Sequence, residues 1–416
     1  MKIGYLCHYF APEIGAPQAR LYDLSSAWVR NGHEVTVVTG FPNHPTGILR
    51  AEDRGKLWAT EQINGIRVLR NWLYATPNEG IVKKTLGHLS FMVTAVLFGL
   101  PRLGKIDVLI ASSPTFFPII SAWIMSLMKR VPFVFEVRDL WPAVFVDLGV
   151  LKNPWLIKIL EMMEMFLYRR AALVVTVTES FRDTLIKRGI SGDKIVTVTN
   201  GADIELFQPD GNGSRPRQEI RQEYGLENKF TVMYLGAHGI SHSLETVVRA
   251  ADILRDETGI CFLLVGEGAE KNKLVELKQQ LNLKNLLMLP GQPKARVPGF
   301  YQAADVCLVM LRDVPLFTTF IPSKMFEIMA AARPIIGAVK GESEEILQRS
   351  GNAFMIEQEN PASLAAAVRQ LLSDPVRCEQ MAAQGRDFVI KNYSRESLAE
   401  KYMKALVSTL QKRGQQ

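Results

Sequence analysis

The sequence predicts two doubly wound α/β domains in tandem, and three observations lead to that fold class. The chain has 416 residues, more than one ordinary hydrophobic core accommodates. Short runs of Val, Ile and Leu alternate with helical stretches, which is the pattern of a parallel sheet covered on both faces. The pattern breaks at residues 208–216, a stretch rich in Gly, Pro and polar residues that suits an exposed link between domains.

The first half contains an amphipathic helix and a series of candidate strands. The helix covers residues 16–31 and carries Leu21, Leu24 and Trp28 on its apolar side. The predicted strands are residues 3–7, 35–39, 108–111, 133–137, 173–177 and 195–199. Continuous apolar strands separated by helices predict a doubly wound sheet.

The second half repeats this alternation, so we predict a second open α/β sheet. Its predicted strands are residues 230–235, 261–265, 286–289, 306–310 and 334–337. The predicted helices are residues 244–255, 269–280 and 325–332, followed by residues 377–392 and 395–410 at the end of the chain.

The charge balance is basic, with 49 Lys and Arg against 42 Asp and Glu, a formal net charge of +7. This surplus favours anionic partners such as phosphorylated small molecules, nucleic acid or an anionic membrane face; a generally basic soluble surface is the alternative. The four cysteines are scattered without a zinc-ligand spacing, so we expect neither disulfides nor a metal site. A strand, not a signal peptide, follows Met1, which predicts a cytoplasmic protein.

Two strongly apolar segments, residues 89–100 and 118–128, are shorter than the roughly 18–20 residues that span a bilayer. The cations that flank them are Lys83, Lys84, Arg102, Lys105, Lys129 and Arg130. Apolar helices edged with Lys and Arg can lie at the surface of an anionic membrane. Buried core helices with ordinary flanking charges are the other interpretation, and both remain open.

Polar residues follow the predicted strands of the first half. Gly15, in the loop after the first strand, leaves room for backbone N–H groups to approach a phosphate, although an ordinary turn is the alternative. Glu136, Arg138 and Asp139 come at the end of another strand. Asp139 could orient an acceptor hydroxyl or stabilise positive charge on a sugar carbon; an ion pair of Arg138 with Glu136 or Asp139 is the structural alternative.

Glycine-containing loops follow two strands of the second half. Gly236 and Gly239 stand beside a helix start, where a loop suits diphosphate or sugar hydroxyls. His238 and His242 lie in the same loop, but no acidic third ligand is near in sequence, which argues against a metal. Glu267 stands between two glycines, where it holds a nucleobase edge or simply belongs to a turn.

Residues 322–327 carry the most specific signal in the chain. Ser323 is an appropriate N-cap, and the N–H groups of the first helical turn then point towards an anion. Lys324 adds a positive charge suited to a diphosphate. Glu327 lies one turn further on the same side, where its carboxylate can accept two hydrogen bonds from ribose hydroxyls. A capped surface helix is the alternative.

Taken in order, these residues resemble a retaining GT-B glycosyltransferase of family 4, most of all the bacterial branch of O-antigen fucosamine transferases and colanic-acid glycosyltransferases. The resemblance extends over nearly the whole chain. The matching residues are Pro12, Glu13, Gly15, Asp139, Leu140, Trp141, Pro142, Asn200, Gly201, Asp203, Phe207, Gly236, Leu244, Glu245, Pro322, Ser323, Lys324, Glu327, Met329 and Ala330.

The resemblance implies two Rossmann-like domains facing across a cleft, with the acceptor in the first and the nucleotide-sugar donor in the second. It also implies transfer without a metal or another cofactor, and a C-terminal helix that crosses back to the first domain. We therefore expect a first domain of residues 1–205 together with residues 393–416, and a second domain of residues 206–392. By the same resemblance, Gly15 would lie at the phosphates of the transferred sugar.

One position departs from the family pattern. Many members carry an additional glutamate near the donor sugar, where this chain has Thr319. Its role would pass to backbone amides, to Thr318 or Thr319, or to another side chain. Many relatives also direct an Arg and a Lys at the diphosphate from the loop at residues 239–243, which has neither here. Lys324 is therefore the preferred candidate for that contact, ahead of Arg312.

We predict an enzyme that transfers a hexosyl or N-acetylhexosaminyl unit, with retention, from a UDP-linked donor to a growing cell-surface glycan. The expected product is O-antigen of lipopolysaccharide, or capsule, on a lipid-linked or oligosaccharide acceptor, with the protein peripheral on the inner face of the membrane. A nucleotide-sugar 2-epimerase and a non-catalytic subunit of a polysaccharide assembly complex are the alternatives, and nucleic acid is not an expected partner.

The predicted site residues fall into three groups. Asp139 and Lys324 are the predicted catalytic residues, and no metal ligands are expected. Glu13, His44 and Arg138 are predicted on the acceptor side. The predicted donor-binding residues are Gly15, Gly236, Gly239, Glu267, Thr319, Ser323, Lys324 and Glu327.

Overall fold

The chain divides into two compact units: a first unit of Met1–Thr199 with Leu398–Gln416, and a second unit of Asn200–Ser397. The first unit ends before residue 205 because Ala202 belongs to the second, where its backbone exchanges hydrogen bonds with Tyr393 and Arg395. The computed structural model describes residues 1–13, 16–44, 46–77, 80–113, 115–147, 151–209 and 215–414.

A sheet of eight strands forms the centre of the first unit within the described residues. The strands are β1 (Lys2–Leu6), β2 (Glu34–Gly40), β3 (Trp58–Ile63), β4 (Ile66–Asn71), β5 (Val108–Ser112), β6 (Phe133–Val137), β7 (Leu173–Thr176) and β8 (Ile195–Thr197). Their order is β3-β4-β2-β1-β5-β6-β7-β8, and β3 is antiparallel to β4 whereas the other pairs are parallel. Strand order reverses at β1, as in a doubly wound fold.

Helices cover both faces of this sheet. They are α1 (Ala16–Arg30), α2 (Gly80–Thr94), α3 (Leu100–Arg102), α4 (Phe116–Lys129), α5 (Ala143–Asp147), α6 (Pro154–Arg170) and α7 (Glu179–Lys187). Phe91 of α2, Ile119 of α4 and Leu167 of α6 share one apolar core. Trp28 of α1 lies in a separate core with the other faces of the strands. Because both faces are buried, the strands are continuously apolar, which confirms the predicted fold class.

The second unit repeats the architecture with six parallel strands within its described residues. These are β9 (Phe230–Leu235), β10 (Ile260–Val265), β11 (Leu286–Leu289), β12 (Val306–Met310), β13 (Ile335–Ala338) and β14 (Ala353–Met355), in the order β11-β10-β9-β12-β13-β14. The helices are α8 (Arg215–Glu223), α9 (Glu245–Ile253), α10 (Lys271–Gln280), α11 (Val297–Ala303), α12 (Lys324–Ala330), α13 (Glu342–Ser350), α14 (Pro361–Ser373) and α15 (Pro375–Tyr393). Strand order reverses at β9, and this is where a doubly wound sheet opens a crevice for ligands.

The last helix, α16 (Arg395–Gly414), returns to the first unit from Leu398 onward. The indole Nε1 of Trp28 donates a hydrogen bond to the carbonyl oxygen of Ala399 at 3.0 Å. The Tyr402 ring packs edge to face against Trp28, with ring centroids 5.3 Å apart. The predicted return of the C-terminal helix to the first domain is therefore observed.

Several elements escape the sequence prediction. The hairpin of β3 and β4 turns at Asn64 and Gly65, which both have positive φ angles. β3 is an edge strand with exposed and half-buried side chains, so it lacks the continuous apolar run by which the other strands were predicted. The short strand β14 and the helix α14 were likewise not predicted.

The two apolar segments lie in helices of the first unit. Residues 89–100 run through the end of α2, the π-helical turn Ala95–Gly99 and the start of α3, and residues 118–128 lie in α4. Their inner sides are buried in the core, whereas Leu97, Leu127 and Met128 are exposed. Among the helices that the structure describes, none is long and apolar enough to cross a membrane.

Candidate functional site

The candidate site of the second unit lies at the carboxyl ends of β9, β10 and β12, where strand order reverses. Three glycines bring the loops after β9 and β10 into backbone contact. A Cβ on Gly266 would lie 1.9 Å from the carbonyl oxygen of Gly236, and one on Gly268 would lie 2.4 Å from that of His238. Gly266 also has a φ of +152°, which L side chains rarely adopt. The two loops therefore interlock only because these positions carry no side chain.

Gly236 also leaves room for the side chain of Lys324. Its φ is +145°, and a Cβ at this position would lie 2.7 Å from the Lys324 Nζ. The ammonium lies 3.6 Å from the centre of the Tyr234 ring, a cation–π distance. Gly236 and Lys324, predicted from separate motifs, are thus in direct contact. By contrast, Gly239 has nothing within 3.4 Å of a hypothetical Cβ, since its nearest contact is His242 Cδ2 at 3.7 Å.

The Lys324 ammonium is buried, and no hydrogen-bond acceptor reaches it from the described part of the chain. Burial lowers the pKa of Lys324 from its usual 10.5 to about 7, and the charge of Glu327 opposes that shift. A buried, unpaired cation is costly unless an anion joins it. An anion that reaches Lys324 would therefore find an ammonium without a hydrogen-bond acceptor, and the contact with a phosphate stays a prediction.

Two neutral histidines lie in the loop that follows β9. Burial lowers the pKa of both His238 and His242 to about 4. Among described residues neither ring nitrogen of His238 has a hydrogen-bond partner, while His242 Nδ1 lies 3.4 Å from the Met310 carbonyl oxygen. No group of three His, Cys, Asp or Glu within the described ranges is placed to hold a metal ion. Both imidazoles are therefore uncharged at neutral pH and can serve a ligand only as hydrogen-bonding groups.

Glu327 lies one helical turn after Lys324 on α12. Its Oε2 accepts a hydrogen bond from the Tyr301 hydroxyl at 3.1 Å. Burial raises the pKa of Glu327, and the charges of Arg395 and Lys324 are among the opposing influences. The carboxylate is thus oriented by the neutral Tyr301 hydroxyl, and the binding of ribose hydroxyls by Glu327 stays a prediction.

Ser323 departs from its predicted role as an N-cap. It occupies the position before α12, but its backbone is helical and its side chain makes no capping hydrogen bond. Pro322 and Ser323 instead use their carbonyl oxygens to accept from the amides of Met325 and Phe326. With only seven residues in α12, little of a helix dipole supports the site, and Lys324 adds a positive charge at the first position of the helix.

Thr319 ends the short 3-10 helix Pro315–Thr319, close in sequence to the start of α12. The Thr318 hydroxyl donates to the carbonyl oxygen of Pro315 at 2.7 Å. The carbonyl oxygen of Thr318 would lie 2.2 Å from a Cβ on Gly341. These contacts hold the segment in which Thr319 replaces the family's glutamate, and the part of Thr319 in donor binding stays a prediction.

Glu267 and Arg312 both have partners within the second unit. Lys271 Nζ lies 2.6 Å from Glu267 Oε1, and the carboxylate is 62% exposed. Arg312 Nε lies 3.4 Å from a carboxylate oxygen of Glu359. Base recognition by Glu267 remains a prediction, and Arg312 would have to leave Glu359 to reach a diphosphate.

On the predicted acceptor side, Glu13 ties two loops of the first unit together. Its Oε2 accepts from the amide of Phe10 at 3.1 Å, and its Oε1 accepts from the amides of Asn43 and His44 at 2.8 Å. Burial raises the pKa of Glu13, and these hydrogen bonds oppose the shift. His44 is exposed, with its ring 5.3 Å from that of Tyr9. Glu13 thus positions His44, and Gly15 lies outside the described residues.

The charged residues at the end of β6 do not form the ion pair considered from sequence. Glu136 is buried and pairs with Arg20, whose Nε lies 3.3 Å from Glu136 Oε1. The amides of Arg138 and Asp139 donate to the Ser113 hydroxyl at 2.7 and 3.3 Å. Burial raises the pKa of Asp139 to about 6 against the charge of Arg138. Asp139 is therefore a carboxyl that can change protonation near neutral pH.

Sequence reasoning missed Tyr234, Tyr301 and Arg20. Each supports a charged residue that was predicted or considered: Tyr234 lies under Lys324, Tyr301 donates to Glu327, and Arg20 pairs with Glu136. Their partners are far away along the chain, and neither tyrosine belongs to a motif. The position of Tyr234 near the end of a strand was the available signal.

Replacing Lys324 by Met is expected to stabilise the unliganded protein below about pH 7 and to lose this advantage as the pH rises. Between the folded pKa of about 7 and the usual lysine pKa, the unfolded chain binds a proton that the native protein does not. The free energy of unfolding of the wild type then increases with pH, by up to about 1.4 kcal/mol per pH unit. Urea denaturation at about pH 6.5, 8 and 9.5 measures the difference.

Lys340→Met is the matched control because it removes an ammonium whose side chain is 51% exposed. If the stability difference between wild type and Lys324→Met stays constant across this pH range, the Lys324 ammonium is solvated and the buried-cation account fails.

Two families match the chain, one in each unit. The Glycosyl transferase 4-like domain matches residues 15–201. Glycosyl transferases group 1 matches residues 216–388, which include the loops after β9 and β10 and the whole of α12. Together the two matches cover most of the chain.

Curated relatives are similar over different shares of the chain. WcaI of Escherichia coli K12, named as a colanic acid biosynthesis glycosyl transferase, is 24% identical over 386 residues, or 90% of this chain and 93% of WcaI. TuaH of Bacillus subtilis 168, named as a teichuronic acid biosynthesis glycosyltransferase, is 25% identical over 67% of this chain and 64% of TuaH.

Solved structures share the fold. Anabaena Alr3699/HepE, crystallised with UDP and glucose, superposes with a TM-score of 0.73 at 17% identity, covering 98% of this chain and all of HepE. Sucrose-phosphate synthase from Thermosynechococcus elongatus gives a TM-score of 0.74 at 17% identity, over 98% of each chain. With both family matches and this fold, the chain is a GT-B glycosyltransferase that joins a glycosyl transferase 4-like unit to a group 1 unit.

Proposed function

We propose that this enzyme transfers a sugar from a UDP-linked donor to a lipid-linked cell-surface glycan, with retention at the anomeric carbon. The observation that carries the donor assignment is the buried Lys324 ammonium beside Gly236, with the Glu327 carboxylate one turn away. HepE, which shares the fold, was crystallised with UDP and glucose. WcaI and TuaH carry names of cell-surface polysaccharide synthesis, which supports a glycan acceptor.

In the proposed mechanism negative charge develops on the leaving diphosphate. The bond between the anomeric carbon and the phosphate oxygen breaks, and its electron pair goes to the diphosphate, which Lys324 stabilises. The acceptor oxygen forms the new bond on the same face, and its proton passes to the leaving phosphate oxygen. No protein nucleophile takes part, and Asp139 orients the acceptor hydroxyl.

The acceptor assignment is tested by incubating the protein with radiolabelled UDP-sugars and a membrane lipid extract. We expect label in a glycolipid, and we expect Lys324→Met to lose most of this product while Lys340→Met retains it. An isomerised donor without glycolipid would identify a nucleotide-sugar 2-epimerase instead. Neither product, with intact UDP binding, would point to the non-catalytic subunit; both outcomes contradict the transferase proposal.

Glu327→Gln is expected to reduce the preference for ribose over deoxyribose. A carboxylate that accepts from both ribose hydroxyls should favour UDP over 2′-deoxy-UDP by about tenfold or more, since hydrogen bonds to charged groups contribute roughly 1.5–3 kcal/mol. The variant should keep a smaller preference, of about two- to tenfold, because its neutral amide oxygen still accepts a hydrogen bond of roughly 0.5–1.5 kcal/mol. Calorimetric titration with each nucleotide measures the ratio.

Glu345→Gln is the control for this experiment because it makes the same change at an exposed carboxylate of the second unit, on α13. The control should keep its preference for UDP. If wild type and Glu327→Gln show equal ratios, Glu327 does not hold the ribose.

A further inference from the structure

Helix α6 of the first unit has apolar side chains on two opposite faces. Its inner face, which includes Leu160 and Leu167, is buried. Trp155, Ile159, Met162 and Phe166 follow one another at intervals of four, three and four residues. These intervals place the four side chains in one stripe along the helix.

This outer stripe is exposed. The exposed fractions are 77% for Trp155, 47% for Ile159, 57% for Met162 and 39% for Phe166. Scattered exposed hydrophobic residues are normal, but a continuous stripe of large ones on the outside of a helix marks an interaction surface. The core of the first unit does not require these residues, since α6 already buries its other face.

The stripe continues onto the neighbouring helix α4. The Trp123 ring packs edge to face against Phe166, with centroids 5.0 Å apart. Trp123, Leu127 and Arg170 line one hollow, together with residues of β6, β7 and α16. Leu127 and Met128 are 58% and 63% exposed. The apolar surface therefore extends from α6 onto α4.

Cations border the stripe at both ends. Lys158, Arg169 and Arg170 are exposed on α6, and Lys152 precedes the helix. The Arg170 guanidinium lies 5.3 Å from the centre of the Phe166 ring. One exposed carboxylate, Glu161, opposes these charges along α6, because Glu164 is buried against Arg188. Long Lys and Arg side chains can extend past an apolar stripe to reach lipid phosphates.

We propose that this lipid-binding surface, formed by Trp155, Ile159, Met162 and Phe166 with Lys158, Arg169 and Arg170, holds the protein on an anionic bilayer. The proposal rests on the proposed transfer to a lipid-linked acceptor. An apolar stripe flanked by cations, with a tryptophan at one end, is the pattern of a helix lying in the membrane interface. Pairing two copies through α6 would bring cations next to cations in either orientation, which disfavours a dimer.

This surface differs from the one expected from the sequence. That prediction relied on residues 89–100 and 118–128, whose inner sides are in the core. α4 contributes only its outer residues, and Lys129 of that helix donates a hydrogen bond to the carbonyl oxygen of Gly104 at 3.0 Å. The stripe on α6 supplies the larger aromatic and aliphatic side chains.

Cosedimentation with phosphatidylglycerol vesicles and with phosphatidylcholine vesicles tests the proposal, using the full chain. The wild type should bind the anionic vesicles, and the binding should weaken with salt. The double variant Trp155→Ser/Ile159→Ser should bind at least about tenfold more weakly. The triple variant Lys158→Gln/Arg169→Gln/Arg170→Gln should lose about fivefold for each cation removed.

Ile253→Ser/Val376→Ser is the matched control, since both residues are exposed hydrophobics of the second unit. It should bind vesicles like the wild type. The proposal is overturned if the wild type does not bind anionic vesicles. It is also overturned if the double variant binds them as well as the control variant does. A wild-type dimer that the double variant dissociates without any vesicle binding would overturn it too. UDP titration of the same variants should give the wild-type affinity. A loss of vesicle binding is thereby distinguished from a failure of donor binding.

Discussion

The proposed donor site depends on one buried cation, Lys324, whose Nζ has no hydrogen-bond acceptor among the described residues. Water is excluded from Nζ, and the face of Tyr234 compensates only part of the lost solvation. The protein meets this cost by lowering the pKa of Lys324 to about 7, so that the side chain is charged or neutral with little difference in free energy. A diphosphate shifts that balance towards the ammonium. Binding of the donor and protonation of Lys324 are therefore linked.

The residues around Lys324 provide the space and the local charge that its buried ammonium requires. Gly236 provides the space for the ammonium, and Gly266 and Gly268 allow the two loops to interlock. His238 is neutral, so it adds no second positive charge that would repel the Lys324 ammonium. The order of the strands places these loops together at the reversal beside β9. Burying the Lys324 ammonium lowers the stability of the free protein, and in the proposed function the phosphates of the donor offset that cost on binding.

The features that could be predicted from the sequence are those that depend on local patterns of residues. Both sheets were predicted because strands buried on two faces are continuously apolar, and β3 was missed because it is an exposed edge. Lys324 and Glu327 were located by their motif and Gly236 by its glycine loop, but no local spacing relates Lys324 to Gly236 or to Tyr234, because both lie far from it along the chain. Ser323 was assigned as a cap from residue preference, whereas its own backbone is already helical and its side chain makes no capping hydrogen bond. Tertiary context decides such details.

Proton uptake on UDP binding tests the central claim most directly. At about pH 8.5, well above the lowered pKa, Lys324 is mostly neutral in the free protein and should become protonated against the diphosphate. Calorimetric titrations in two buffers of different ionisation enthalpy should report uptake of about one proton per UDP bound by the wild type, and close to none by Lys324→Met. Tight UDP binding by the wild type without proton uptake would contradict the account.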